Sequence, residues 1–235
     1  MFQDYINYKF KWACVDLIAL SVLAFWQPNL CCSELNLENL IEGKHYKSLP
    51  VKKLNTKEIM NYNHQHPYDV HVIEFFGYAC HFCNVLHPYL QEWSLKKPSD
   101  VDYDRVPVVF NRPWEVLAKA YYTAESLNCM DQVDVHLFDA IHKNRMNLAN
   151  EKELERFFVA HGIEADKFQA TYASFEVSRK LKMGIDVMKN FGIIATPAVI
   201  VYGEKSSYIT DLDMVGDEKS LIEVINLLID KVKRN

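Results

Sequence analysis

The sequence predicts an α/β protein whose mixed central β-sheet is covered by helices on both faces. Two observations carry this prediction. A strand, a helix and a second strand follow one another before residue 111, which is the order of a right-handed β-α-β unit with parallel strands. A hairpin, whose strands are antiparallel, and a final helix come after a long helical block. We therefore expect the helical block to be inserted between two halves of one sheet.

The first half of the chain supplies the β-α-β unit. The segment Val70–Phe76, VHVIEFF, is almost continuously apolar, which is typical of a strand buried on both faces. A weaker strand signal precedes it at Tyr46–Leu49. Helical spacing follows over Cys80–Trp93, and Pro88 within it predicts a bend. The second core strand is predicted over Val106–Phe110.

The second half is mostly helical. Residues 114–191 show helical periodicity throughout, which predicts three or four helices. Asp166 is a candidate N-cap and Gly192 a candidate helix end, because these residue types favour those positions. Three elements then close the chain, namely strands at Ala198–Tyr202 and Ser207–Thr210 and an amphipathic helix at Asp217–Lys231.

Composition limits the classes of protein that remain. The chain has 235 residues, of which 49% are hydrophobic and 24% charged, as in an ordinary globular protein. The length fits one domain, or one domain with a sizeable insertion. Lys and Arg total 26 against 31 Asp and Glu, and no long basic run occurs, so nucleic acid is not an expected partner.

The N-terminal segment has the charge order of a secretory signal peptide. Lys9 and Lys11 precede an apolar run over Leu17–Trp26, and a polar stretch begins near Gln27. The run is short for a membrane span, which takes about 20 apolar residues. We therefore expect residues 1–32 to be a signal peptide, with an uncleaved anchor or a cytosolic amphipathic start as alternatives. Export places the protein in an oxidising compartment.

The sharpest chemical signal is Cys80-His81-Phe82-Cys83, between a buried strand and the start of a helix. Free backbone N–H groups and the helix dipole stabilise an anion there, so the thiolate of the first cysteine is favoured. Three-residue spacing brings the two sulfurs within bonding distance, with Cys80 as nucleophile and Cys83 as resolving partner. The alternative is zinc, since Cys80, Cys83 and His87 make C-x2-C-x3-H, but a second ligand element is missing.

Several motifs together resemble a known family. The segments VIEFFGYACHFC and IIATPAVIV, Pro88 and the helical block are similar to thioredoxin-fold thiol:disulfide oxidoreductases of the DsbA family. The similarity runs from about Glu42 to the C terminus. It implies a thioredoxin fold carrying an inserted helical domain, with the fold in residues 42–111 and 192–235 and the insertion in residues 112–191.

The resemblance also implies an activity and its partners. Such a protein oxidises cysteines of reduced or unfolded exported proteins in the periplasm. A membrane quinone reductase of the DsbB type reoxidises it, and it needs no cofactor beyond its own Cys80–Cys83 disulfide. Two rival functions remain open: a reductase or isomerase on the same fold, and a substrate-binding chaperone without redox turnover.

The resemblance also implies roles for individual residues of the site. Cys80 forms the mixed disulfide and Cys83 opens or closes the bond. Thr196-Pro197 matches the family's cis-proline, whose backbone pairs with an extended substrate; an ordinary trans proline is the alternative. Glu74 matches the acid of the family's EFF strand. Because burial disfavours a charged carboxylate, Glu74 is a candidate proton carrier for Cys83, with a salt bridge to a lysine as the alternative.

The residues between the cysteines depart from the family pattern, which has proline first and histidine second. Here His81 is first and Phe82 second. This pair tunes the redox poise, and Thr196 is common in reducing and isomerising relatives, so the direction of electron flow stays open. We expect His81 to support the thiolate of Cys80 and Phe82 to contact substrate. Cys129 is expected to be a small buried core residue.

Overall fold

The computed structural model describes residues 35–50 and 69–235. The expected signal peptide or anchor at residues 1–32 lies outside these ranges. Among the helices of the described ranges, none has the length and apolar character needed to span a bilayer.

The described residues contain five strands and eight helices. The strands are β1 (Lys47–Leu49), β2 (Val70–Phe76), β3 (Val101–Pro107), β4 (Ala198–Tyr202) and β5 (Ser207–Thr210). The helices are α1 (His81–Lys96), α2 (Arg112–Ser126), α3 (Met130–His142), α4 (Glu151–Ala160), α5 (Ala165–Tyr172), α6 (Phe175–Phe191), α7 (Leu212–Val215) and α8 (Glu218–Lys233).

The strands form one sheet in the order β1-β5-β4-β2-β3. β2 and β3 are parallel, whereas the other three neighbouring pairs are antiparallel. The predicted mixed sheet and its β-α-β unit are thus confirmed. All seven residues of β2 are buried, because this strand has a neighbour on each side and helices on both faces.

The side chains of β2 pack into different hydrophobic cores on the two faces of the sheet. Val70 and Val72 pack with α1 and α8 on one face of the sheet. Ile73 and Phe75 pack with α6 on the other face. Phe76, at the end of the strand, joins a third core formed by α2 to α6. The C-terminal end of β2 therefore lies where the sheet meets the helices that follow β3.

The predicted strand at Val106–Phe110 is placed wrongly. β3 runs over Val101–Pro107 and pairs with β2 from its first residue, Val70 opposite Val101. The polar residues in the early part of β3 conceal this strand in the sequence. They are satisfied inside the sheet, since Asp102 lies 3.2 Å from His71 on β2 and Arg105 pairs with Glu74.

The helical block also differs in detail from the prediction. It contains five helices rather than three or four, because Ser174 caps α6 through a hydrogen bond from the Val177 N–H and separates it from α5. Asp166 lies inside α5 and is not its N-cap. Gly192 ends α6 in the left-handed conformation, as predicted. α1 continues through Pro88 to Lys96, three residues beyond the predicted end.

Candidate functional site

Cys80 is the N-cap of α1, and its sulfur takes the place of the usual capping oxygen. Its backbone is extended, and its Sγ accepts a hydrogen bond from the Cys83 N–H at 3.2 Å. Such backbone N–H groups have no partner inside the helix, so a negatively charged acceptor is favoured there. The sequence thus positions the first cysteine at the one point of α1 that stabilises a thiolate.

The turn before Cys80 is held in place by the helices that follow β3. Gly77 ends β2 so close to Trp114 of α2 that a Cβ at this position would lie 2.2 Å from the indole ring. His142 of α3 donates a hydrogen bond from Nε2 to the Tyr78 carbonyl oxygen, 2.7 Å away. Two contacts from outside the sheet therefore fix the backbone that carries Cys80.

Hydrogen bonding lowers the pKa of Cys80 to about 6. The hydrogen bond with the Cys83 side chain contributes most, and burial opposes it. A hydrogen bond with Thr196 and the backbone N–H groups of Cys83 and Phe82 lower the pKa further. Cys80 is therefore largely a thiolate at neutral pH, although only 9% of its surface is exposed.

Cys83 lies one turn further into α1 and is fully buried. Burial raises its pKa, and the neighbouring negative charges of Cys80 and Glu74 raise it further. Both cysteines are free thiols in this structure. Cys83 is thus a protonated thiol that must lose its proton before it attacks, whereas Cys80 is ready to react or to leave.

The peptide bond between Thr196 and Pro197 is cis, as the sequence predicts. In its thiol form, Cys80 donates a hydrogen bond from Sγ to the Thr196 carbonyl oxygen, 3.5 Å away. A groove of about 430 Å³ begins at this bond and is lined also by Phe82 and Ile194. Phe82 is 60% and Ile194 91% exposed, so the groove has an apolar rim beside the reactive sulfur.

Glu74 is completely buried in the centre of the sheet. Its Oε2 accepts hydrogen bonds from Tyr103 Oη at 2.7 Å and Arg105 Nε at 2.9 Å. Its Oε1 accepts none from the described residues. Glu74 thus forms the salt bridge of the alternative interpretation, but its basic partner is an arginine on the neighbouring parallel strand and not a lysine.

A larger charged cluster, absent from the sequence analysis, surrounds this pair. Asp134 of α3 accepts hydrogen bonds from Arg105 Nη1 at 2.6 Å and Tyr78 Oη at 2.5 Å. His87 of α1 lies 3.3 Å from the same carboxylate, and burial lowers its pKa. Tyr78 is therefore a buried core residue. Polar residues at helix positions that are expected to be buried could have indicated this cluster. His87, four residues after Cys83, is one of them.

His81 is exposed at the start of α1, and its ring faces two neighbouring rings. The ring centroids lie 5.7 Å from that of Phe82 and 6.0 Å from that of His142. The groups that lower the pKa of Cys80 most are instead the side chains of Cys83 and Thr196. The role of His81 at the thiolate stays a prediction.

Cys129, the third cysteine of the described ranges, is buried at the N-cap of α3, and burial raises its pKa. This environment agrees with the predicted core role. Over residues 35–50 and 69–235, no three His, Cys, Asp or Glu side chains converge as metal ligands. The zinc alternative therefore has no ligand set in the part of the chain that the structure describes.

Comparison with known proteins gives consistent results. The family model described as the DSBA-like thioredoxin domain matches residues 100–219. Two proteins named thiol:disulfide interchange protein DsbA, from Azotobacter vinelandii and Pseudomonas syringae pv. tomato, are 31% and 30% identical over 165 residues. Each alignment covers 70% of this chain and 76% of the relative.

Solved structures agree with this result. The crystal structure of Pseudomonas aeruginosa DsbA superposes with a TM-score of 0.75 at 26% identity, covering 85% of this chain and 98% of that one. The oxidoreductase NmDsbA1 from Neisseria meningitidis superposes with a TM-score of 0.68 at 26% identity, covering 86% and 98%. The predicted thioredoxin-like fold is therefore confirmed.

Proposed function

The chain belongs to the DsbA family and is a thiol:disulfide oxidoreductase, and we propose that it introduces disulfide bonds into exported proteins. The opposite pKa shifts of Cys80 and Cys83 carry this proposal. Cys80 has a pKa of about 6 and is a good leaving group, whereas burial keeps Cys83 protonated. Stabilising the reduced form of the pair in this way favours transfer of the disulfide to a substrate.

The reaction proceeds in two exchanges. A substrate thiolate attacks Cys80 Sγ, the Cys80–Cys83 bond breaks, and its electron pair passes to Cys83, which takes up a proton. The second thiolate of the substrate then attacks the substrate sulfur of the mixed disulfide and expels Cys80 as a thiolate. The low pKa of Cys80 drives this last step, since its thiolate is stable at neutral pH.

Substrate binds in the groove beside the cis bond, through main-chain and apolar contacts. The backbone of Thr196 and Pro197 pairs with an extended segment, while Phe82 packs against its side chains. The position of Thr196 against Cys80 Sγ and the exposure of Phe82 support these roles. Main-chain pairing accepts many sequences, which suits an enzyme that acts on many proteins.

Glu74 and His81 assist at the two sulfurs. Glu74 exchanges a proton with Cys83; its complete burial and its effect on the pKa of Cys83 support this role. His81 adds favourable charge beside the thiolate of Cys80; its exposed place in the first turn of α1 supports that. The proton-exchanging group is thus buried and the charge-tuning group is exposed.

Family membership supports the remaining parts of the proposal. The protein acts in the periplasm on reduced or unfolded exported proteins, and a DsbB-type membrane quinone reductase restores its disulfide. It requires no cofactor besides that disulfide. Residues 42–111 and 192–235 form the thioredoxin-fold domain, and residues 112–191 form the inserted helical domain.

The test is oxidation of a reduced, unfolded protein that needs one disulfide, with the oxidised enzyme in equimolar amount. We expect stoichiometric disulfide formation by the wild type and none by the Cys80→Ala, Cys83→Ala double variant. Full activity of the double variant in a refolding assay would instead identify a chaperone. Faster repair of a mispaired substrate than oxidation of a reduced one would identify an isomerase.

A further inference from the structure

Two side chains of α3 hold Tyr78, which lies two positions before Cys80. Tyr78 Oη donates a hydrogen bond to Asp134 at 2.5 Å, and His142 Nε2 donates one to the Tyr78 carbonyl oxygen at 2.7 Å. Asp134 and His142 are about two helical turns apart on α3. One helix therefore holds both the side chain and the backbone of Tyr78.

The Tyr78 carbonyl oxygen is available to His142 because of the turn in which it lies. The Cys80 N–H donates to the Gly77 carbonyl oxygen at 3.0 Å, which closes a turn with Tyr78 and Ala79 at its centre. Among the described residues, no backbone N–H donates to the Tyr78 carbonyl oxygen. The hydrogen bond from His142 thus satisfies a carbonyl group that the turn leaves open, and fixes the direction of this peptide group from α3.

The imidazole ring of His142 is itself held by packing. It lies in the last turn of α3 and is stacked on the ring of Phe138, one turn earlier, with the ring centroids 6.2 Å apart. A carbonyl oxygen accepts hydrogen bonds and donates none, so Nε2 carries the proton of this bond whether the ring is neutral or charged. The hydrogen bond to Tyr78 therefore requires a donor at this place but no charge.

The position of Cys80 Sγ depends on this turn, since a single residue separates Tyr78 from Cys80. Sγ lies 3.2 Å from the Cys83 backbone nitrogen and 3.5 Å from the Thr196 carbonyl oxygen. Hydrogen bonds weaken steeply as they depart from linear geometry. A rotation of the peptide groups before Cys80 would move Sγ away from the N–H group that stabilises its thiolate.

We propose that His142 is a positioning residue for Cys80, because its hydrogen bond to the Tyr78 carbonyl oxygen sets where Cys80 Sγ stands against the first turn of α1. It acts through the backbone of Tyr78 and Ala79. The inference rests on the proposed role of Cys80 as the attacking sulfur. It adds a helix outside the sheet to the groups that determine the reactivity of this cysteine.

The experiment compares the reduced wild type with His142→Phe and His142→Gln. Phenylalanine keeps a ring and removes the donor, whereas glutamine keeps an N–H donor and cannot become charged. The rate of alkylation by iodoacetamide is measured against pH, and mass spectrometry locates the product on Cys80. We expect His142→Phe to raise the pKa of Cys80 by about one unit, the size of one weakened hydrogen bond to a charged group. His142→Gln should restore most of the wild-type pKa.

The equilibrium constant with glutathione is a second readout of the same thiolate. A rise of its pKa from about 6 by about one unit should make the reduced form about fivefold less favoured at pH 7. His142→Gln should again resemble the wild type. The matched control is His136→Phe, which removes an exposed histidine of the same helix whose ring lies beside His161. We expect this control to change neither readout.

Wild-type values of both readouts in His142→Phe would overturn the proposal, even if that variant is less stable towards denaturant. An equal rise of the pKa in His142→Phe and His142→Gln would also overturn it, because the charge of the ring and not its hydrogen bond would then be responsible. If His142→Phe does not fold, His142→Ala replaces it, since alanine favours a helix. The proposed function fails separately, if the oxidised wild type transfers no disulfide to a reduced protein.

Discussion

The outer and inner ends of the first turn of α1 hold the same functional group in opposite environments. Cys80 receives hydrogen bonds at the helix N-terminus and has its pKa lowered to about 6. Cys83, three residues later, lies between the sheet and α2 to α6, where burial raises its pKa. The difference shows that spacing brings the sulfurs together, whereas their surroundings decide which one attacks and which one waits.

Removing one sulfur at a time should have the largest effect on activity and should show which cysteine attacks. Cys80→Ala leaves only a buried, protonated thiol, so we expect disulfide transfer to a reduced protein to fall to the uncatalysed rate. Cys83→Ala keeps the reactive thiolate but loses the resolving thiol, so we expect a persistent mixed disulfide at Cys80. Non-reducing electrophoresis and mass spectrometry distinguish the two results. A mixed disulfide at Cys83 in Cys80→Ala would contradict the assignment.

The lowered pKa of Cys80 also makes the stability of the reduced protein depend on pH. Its pKa is lowered on folding from the ordinary 9.0 to about 6, so the thiolate stabilises the reduced protein fully above pH 9 and not at all well below pH 6. Relative to reduced Cys80→Ser, the wild type should gain about 1 kcal/mol of unfolding free energy between pH 5 and 7. Cys83 does not interfere in this window, because its raised pKa keeps it protonated. Denaturant unfolding measures the difference, and a constant difference across this range would refute the shift.

Substrate binding at the outer end gives a smaller effect. Removing the exposed ring in Phe82→Ala should lower kcat/KM for a protein substrate about fivefold, or about 1 kcal/mol of apolar contact. The reaction with dithiothreitol, which does not fill the groove, should not change. Phe175→Ala is the control, because Phe175 is 83% exposed but does not line the groove. Equal losses in the two variants would remove the specific role of Phe82.

The smallest expected effect concerns the contribution of His81 to the pKa of Cys80. His81→Ala should raise the pKa of Cys80 by less than about 0.7 unit, the size of one exposed charge interaction. Hydrogen bonds from Cys83 and with Thr196 remain in this variant and dominate the shift. Ultraviolet absorbance of the thiolate against pH measures the change. An unchanged pKa would remove His81 from the site, and a larger rise would make it a principal determinant.

Local patterns predicted the parts of the fold whose signal lies within one segment. The apolar runs of β2 and β4 are visible in single windows of sequence. The start of β3 was missed because its polar residues are satisfied by partners distant in sequence, such as Glu74 of β2, which lies opposite Arg105. Pairings between distant segments leave no local pattern.

The residues of the site also fall into two groups, those that a local pattern identifies and those that only the tertiary structure brings together. Cys80 and Cys83 were identifiable because their spacing and their place before a helix already specify the chemistry. Asp134 was not, because it meets Tyr78 and Arg105 only after α3 packs against the sheet. Glu74 likewise meets Tyr103 and Arg105 only once β2 and β3 are paired in the sheet.

The most direct test of the central claim is the reduction potential of the Cys80–Cys83 pair, measured by equilibration in glutathione buffers and trapping of free thiols. Known pairs on this fold range from roughly −270 mV for thioredoxin to about −120 mV for a strongly oxidising DsbA. The low pKa of Cys80 predicts a value near the oxidising end, as a disulfide donor requires. A value near −270 mV would contradict the account and make the enzyme a reductase or an isomerase.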